Sequence, residues 1–151
     1  MAGGLGKRMR PLTNKKPKPM LKINGVPILE KIILNFRDHG FKNFIISTYY
    51  KSKIISDYFK KGQKLQVNID YINEKKPLGT AGSLSLLPKK IIEPIIVANG
   101  DVLTKLNPSI LLDYHQHNKF DFTVASINHT YQLPFGSIDI KNNKIFNLEE
   151  K

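Results

Sequence analysis

Short apolar runs alternate with segments of helical spacing along this chain, and that alternation restricts the fold more than any other feature. NFIIST at residues 43–48 and PIIVAN at residues 94–99 are compact and β-branched, the pattern of buried strands. QVNIDYI at residues 66–72 alternates at period two, as a strand with one covered face does, and DFTVASI at residues 121–127 reads as a further strand. Between them, Ile28, Leu29, Ile32, Ile33 and Phe36 recur at the helical period, with Pro27 near the first turn and Gly40 as a C-terminal stop. Residues 51–61 predict a second helix ended by Gly62, residues 79–87 a third, and residues 108–118 a fourth with Pro108 at its start. Strand and helix in alternation predict an α/β fold with a mainly parallel sheet flanked by helices. GSIDI and KIFNLEE, either side of Asn142 and Asn143, predict a small antiparallel strand pair near the C-terminus.

At 151 residues the chain fits one domain, 1–151, with a sizeable core. No apolar stretch approaches the ~18 residues of a membrane span, and no leader pattern opens the chain, so neither a membrane nor an export role is expected. Zero cysteines exclude disulfides, thiolate metal sites and a cysteine nucleophile, which makes a cytoplasmic setting the expectation. The formal charge of +12 invites nucleic acid as a partner. Against that, the lysines are scattered through every segment and only Arg8, Arg10 and Arg37 are arginines, so solvated outward faces account for the excess.

The opening stretch AGGLGKRMRPLTNKKPKP, residues 2–19, has few apolar residues to fold around and needs another reason for its composition. Gly3, Gly4 and Gly6 let a backbone approach a ligand closely, as a phosphate-cradling loop must. Arg8 offers a planar fork for phosphate oxygens, and Lys18 a compact cation held between Pro17 and Pro19. Read locally, the glycines are also compatible with an ordinary turn. In open α/β sheets such a loop leaves the end of a buried strand, yet only Met1 and Ala2 precede Gly3. The missing strand, and the lack of a finishing helix after Glu149, predict an excerpt of a longer protein trimmed at both ends.

The whole string resembles the signature of the sugar-1-phosphate nucleotidylyltransferases, or nucleotide-sugar pyrophosphorylases. The motif runs GGLGKRMRPLT at residues 3–13, PKP at 17–19 and GVPILE at 25–30. PLGTAGS at residues 77–83 is similar to the family's base-contacting turn, and Asn99-Gly100-Asp101 to its metal-bearing strand end. The resemblance covers effectively the whole chain and implies a Rossmann-like fold. One departure is Lys7, where the family usually has threonine.

The implied reaction joins a sugar 1-phosphate to a nucleoside triphosphate and releases pyrophosphate. By the same resemblance Arg8 grips the β- and γ-phosphates, Lys18 the α-phosphate and the sugar phosphate, and Asp101 a Mg²⁺ ion. Gly4 and Gly6 belong to the phosphate loop, while Gly3, Glu74, Gly79 and Thr80 fall at contacts to base and ribose. Gly136 and Glu149 fall at sugar contacts, with Lys151 near the same phosphate, and the family draws a second metal-binding aspartate from beyond this point. Local alternatives stand beside these roles: Asn-Gly is a common turn pair, Glu74 alone reads as a surface charge, and Gly136 as a bulge after Pro134.

LGTAG at residues 78–82 is more similar to guanylyltransferases than to thymidylyltransferases, so GTP is the expected nucleotide and a hexose-like 1-phosphate the expected acceptor. A homo-oligomer is compatible with the chain. A catalytically weak nucleotide-binding relative and a basic nucleic-acid-binding domain are the rival functions. His115 and His117 are two apart on a helix and point about 200° from one another, so they cannot share an ion. They read as surface histidines, like His39 and His129.

Overall fold

A computed structural model describes residues 1–79, 81–88, 91–130 and 135–149. Two 3₁₀ turns, Lys7–Met9 and Lys18–Met20, precede a hairpin of two-residue strands, β1 (Lys22–Ile23) and β2 (Val26–Pro27), turned by Asn24 and Gly25 in the left-handed region. Helix α1 (Ile28–Asp38) follows directly and buries Ile28, Leu29 and Ile33. Its end obeys the chemistry of its sequence. Gly40 adopts φ +94° and donates to Arg37 O, while Phe41 N–H reaches back to Phe36 O, the paired bonds of a Schellman stop. The rings of Phe36 and Phe41 meet edge to face at 5.6 Å and seal that turn with an apolar contact.

The centre of the fold is a parallel unit: β3 (Asn43–Thr48), helix α2 (Ser52–Phe59) and β4 (Asn68–Asn73). The two strands pair in register from Asn43↔Asn68 to Thr48↔Asn73. Parallel strands need a crossover, and α2 provides it, laying Ile55 and Phe59 on the sheet. Met20, Leu29, Ile33, Ile46, Val67 and Ile69 complete the core around them. Buried β-branched and aromatic side chains of this kind each contribute about 1.5–3 kcal/mol through removal from water.

Along the other edge of β3, the first two residues continue the sheet. Ala2 N–H donates to Ser47 O at 2.8 Å, and Met1 O accepts from Gly100 N–H at 2.7 Å. Residues 1–2 therefore lie between β3 and the end of the PIIVAN stretch. The strand expected at residues 94–99 forms no ladder among the described residues; Met1 meets its end, its ammonium donating to Ala98 O and its carbonyl accepting from Gly100 N–H. Residues 121–127, also expected as a strand, likewise carry no ladder, and Phe122, Val124 and Ile127 face solvent.

The expected third helix is another difference. Residues 79–87 contain a short 3₁₀ segment, Gly82–Leu86, preceded by Ala81 in the left-handed region. Its leucines, Leu84 and Leu86, are exposed while Ser83 turns inward, so no apolar stripe ties an α-helix to the core. Helix α3 (Pro108–His117) starts with Pro108 in its first turn and is capped by Asn107, whose Oδ1 accepts from Ser109 N–H at 2.9 Å. The chain's last described elements, β5 (Ser137–Lys141) and β6 (Lys144–Glu149), form the expected antiparallel pair. Among the described residues no helix is long and apolar enough to cross a membrane.

Candidate active site

The glycine loop, the segment that directly follows the C-terminal end of β4, and Asp101 line one cleft of about 770 Å³. That volume lies in the ordinary range of small-molecule sites, and the location is where open α/β sheets bind ligands. The glycine loop forms its floor. Gly6 takes φ +60°, and a Cβ there would stand 2.9 Å from Thr13 Cγ2, so the position is closed to other residues. Thr13 is buried and donates its hydroxyl proton to Gly6 O at 2.8 Å, drawing residues 6–13 into a closed loop. The same loop is tied to the body by Lys51 Nζ, which donates to Asn14 O at 2.8 Å.

Lys18 is held differently. Pro17 and Pro19 are both buried, and a 3₁₀ turn over Lys18–Met20 is closed by Met20 N–H on Pro17 O at 2.8 Å. Fixed φ angles on either side aim the lysine without ordering the rest of the loop. Its ammonium lies 2.7 Å from Asp101 Oδ2, with each side chain about a third exposed at 33% and 32%. Asp101 in turn follows Gly100, whose missing Cβ leaves room for Met1 O and for Ala2. Asn99 and Gly100 both stay outside the left-handed region. They therefore do not form the primed hairpin turn that an Asn-Gly pair favours.

Of the residues singled out by sequence, Gly3, Gly4, Gly6, Arg8, Lys18 and Asp101 all line this cleft. Glu74 and Gly79 line it as well, from the segment after β4. Gly136 directly precedes β5, and Glu149 is the last residue of β6. Thr80 and Lys151 lie outside the described residues. Lys7, the departure from the family pattern, also lines the cleft and adds a second cation beside Arg8.

One residue escaped sequence reasoning. Ser47, buried in β3, donates its hydroxyl proton to Glu74 Oε1, and Leu78 N–H donates to Glu74 Oε2 at 3.1 Å. No local signal links Ser47 with Glu74, since the β3–β4 register brings them together across 27 positions. The histidines take no part: His115 meets Thr123 and His39 meets Asn35 O. No cluster of three or more histidine or carboxylate groups exists among the described residues.

A family model described as nucleotidyl transferase matches residues 1–151, the whole chain. The chain belongs to the nucleotidyl transferase family. A mannose-1-phosphate guanylyltransferase of Mycobacterium tuberculosis is 34% identical over 139 residues, covering 91% of this chain and 39% of that protein. D-glycero-alpha-D-manno-heptose 1-phosphate guanylyltransferase of Aneurinibacillus thermoaerophilus is 31% identical over 153 residues, covering all of this chain and 66% of the relative. This chain thus spans between about two fifths and two thirds of the relatives' length. The crystal structure of HddC from Yersinia pseudotuberculosis complexed with GMP-PN superposes with TM-score 0.66 at 28% identity, over 99% of this chain and 67% of that one. This nucleotidyl transferase shares with that neighbour a Rossmann-like fold, as its alternating elements and parallel unit lead one to expect.

Proposed function

We propose that this nucleotidyl transferase moves a nucleoside monophosphate from a nucleoside triphosphate to a sugar 1-phosphate, releasing pyrophosphate. The observation that carries the reading is the convergence of Arg8, Lys18 and Asp101 on the cleft floored by the glycine loop. GTP is the favoured nucleotide and a mannose- or heptose-like 1-phosphate the favoured acceptor, in keeping with the guanylyltransferases that this chain resembles. A cytoplasmic setting goes with those substrates.

The attacking group in this reaction is a phosphate oxygen, ionised at neutral pH. No side chain has to remove its proton, and catalysis reduces to alignment and charge neutralisation. Exposed Arg8 makes no ion pair among the described residues, so its guanidinium is available to the β- and γ-phosphates. Lys18, placed by its flanking prolines, leaves Asp101 to meet the α-phosphate and the incoming sugar phosphate.

Mg²⁺ suits the donor set, because it is commonly held by one or two carboxylates with the remaining positions filled by phosphate oxygens and water. Of the two carboxylates lining the cleft, Glu74 is taken up by Ser47 and Leu78 N–H, and Asp101 fits that habit. When bound there, the ion would supply Lewis-acid neutralisation of phosphate charge.

Pyrophosphate release, assayed with Mg²⁺ over four nucleoside triphosphates and a panel of sugar 1-phosphates, tests the proposal on the full-length protein and on Lys18→Ala and Asp101→Ala. Turnover that is highest with GTP and lost in both variants is the expected result. Unchanged turnover in both removes the assigned roles. Affinity for RNA or DNA that free GTP does not disturb would favour a basic nucleic-acid-binding domain instead.

A further inference from the structure

We infer that Ser47 and Glu74 are positioning residues that clip the nucleoside side of the cleft to the end of the sheet, a role that rests on the nucleotide-binding reading above. The carboxylate of Glu74 lies among three elements. Oε1 accepts from the hydroxyl of Ser47, on β3. Oε2 accepts from the Leu78 amide at 3.1 Å, in the turn that carries Pro77 and Gly79. A Cβ built on Gly3 would stand 3.1 Å from Oε1, so the phosphate loop packs directly on the same carboxylate. Glu74 is anchored from behind as well, since its own N–H donates to Thr48 O at 2.8 Å and extends the strand pairing by one residue.

Phosphate loop, strand end and the 77–79 turn therefore all meet one side chain. Residues 75–77 are exposed and a Cβ on Gly79 would meet nothing within 4 Å, so the Leu78 bond ties an exposed turn to the sheet, while Ala2 N–H on Ser47 O joins the loop to the strand. Both carboxylate oxygens already accept a proton from this protein. That arrangement suits a strut more than a group whose charge reads the base. Buried Ser47 has no other visible purpose for its hydroxyl, and its backbone carbonyl holds Ala2 at the root of the loop.

A strut and a direct base contact respond differently to substitution. Ser47→Ala removes the donor to Oε1 without touching substrate, and Glu74→Ala removes the strut. Glu74→Gln keeps it, because the amide oxygen still accepts from Leu78 N–H and the amide nitrogen can donate to Ser47 Oγ. The expectation is a KM for GTP raised roughly tenfold in Ser47→Ala and Glu74→Ala, the scale of one lost hydrogen bond to a charged group. Under the same conditions kcat and the KM for sugar 1-phosphate stay within about twofold. Glu74→Gln remains near the parent, and Ser47→Ala with Glu74→Ala is no worse than Glu74→Ala alone, as coupled partners require.

Amide hydrogen exchange at Leu78 reads the clip with no nucleotide present. Protection should fall in Ser47→Ala and in Glu74→Ala and persist in Glu74→Gln. Unaltered Leu78 exchange in Ser47→Ala, or a Glu74→Gln variant as damaged in GTP KM as Glu74→Ala, overturns the inference. If the parent protein turns over no nucleoside triphosphate while Leu78 behaves as expected, the clip stands and the enzymatic reading falls.

Discussion

Lys18 Nζ and Asp101 Oδ2 lie 2.7 Å apart, joining the phosphate-loop side of the cleft to the end of the 94–99 stretch. Both groups remain about a third exposed, and an ion pair in that setting contributes on the order of 1 kcal/mol or less. The contact is therefore weak enough to open when a polyphosphate enters. Lys18→Met should leave the urea midpoint almost unmoved while lowering pyrophosphate release by roughly 10²–10³, the scale of a lost charge at a transferring phosphoryl group. A variant that loses stability and activity in parallel would mark the lysine as structural.

The same pairing puts Lys18 in competition with any cation at Asp101. Mn²⁺ binding to the nucleotide-free protein, followed by electron paramagnetic resonance, should tighten roughly two- to fivefold in Lys18→Met, as the loss of a partly exposed ion pair allows. Identical affinities in parent and variant would show that the two cations do not share the carboxylate.

Gly100 lets residues 1–2 pass beside the aspartate. A Cβ there would stand 2.8 Å from Met1 O and 3.3 Å from Ala2 Cβ, so Gly100→Ala must push backbone apart and carry Asp101 with it. A loss of about 1–3 kcal/mol in chemical denaturation is expected, as for other overpacked sites. Gly4→Ala serves as the stability control, for nothing stands within 4 Å of a Cβ at that position. Equal denaturation midpoints for the two variants would contradict the close approach.

Stability should also decline at alkaline pH through Tyr71. Burial raises its phenol above the ordinary value of 10.0, and its hydroxyl donates to Lys60 O at 2.6 Å. The folded state thus holds the proton more tightly than the unfolded chain. Its contribution is complete below pH 10.0 and disappears as the pH rises through the folded-state value. Tyr71→Phe should flatten the fall in urea midpoint that begins near pH 10.0, the free tyrosine value, and continues upward toward the raised one. Tyr58, raised first by its hydrogen bond to Glu30, acts in the same direction and leaves a residual slope. A slope unchanged by Tyr71→Phe would rule out its contribution.

Where neighbours in sequence supply both the pattern and the stop signal, the reading and the structure agree. NFIIST forms β3 over the residues its composition delimits, and α1 ends where Gly40 can take a positive φ. Where an element depends on a distant surface, they part. The expected helix at 79–87 has helix-forming residues but its described leucines, Leu84 and Leu86, face away from the core, and only Gly82–Leu86 winds, as a 3₁₀ turn. Residues 94–99 are apolar enough for a strand, yet a strand exists only where a partner presents its backbone along the run, and among the described residues Met1 meets only its end.

The chain's order of residues determined, by itself, a flexible glycine floor, a proline-braced lysine, a guanidinium beside them and a carboxylate at the end of an apolar run. Each of these properties belongs to a residue and its immediate neighbours. Only the tertiary structure decided that these groups share a cleft, that Lys18 rests on Asp101, and that Ser47 reaches Glu74. Those relations come from the parallel register of β3 and β4 and from residues 1–2 lying between β3 and the end of the 94–99 stretch. Side chains 27 or more positions apart meet only when backbone hydrogen bonds bring their strands alongside, and no local pattern encodes that distance.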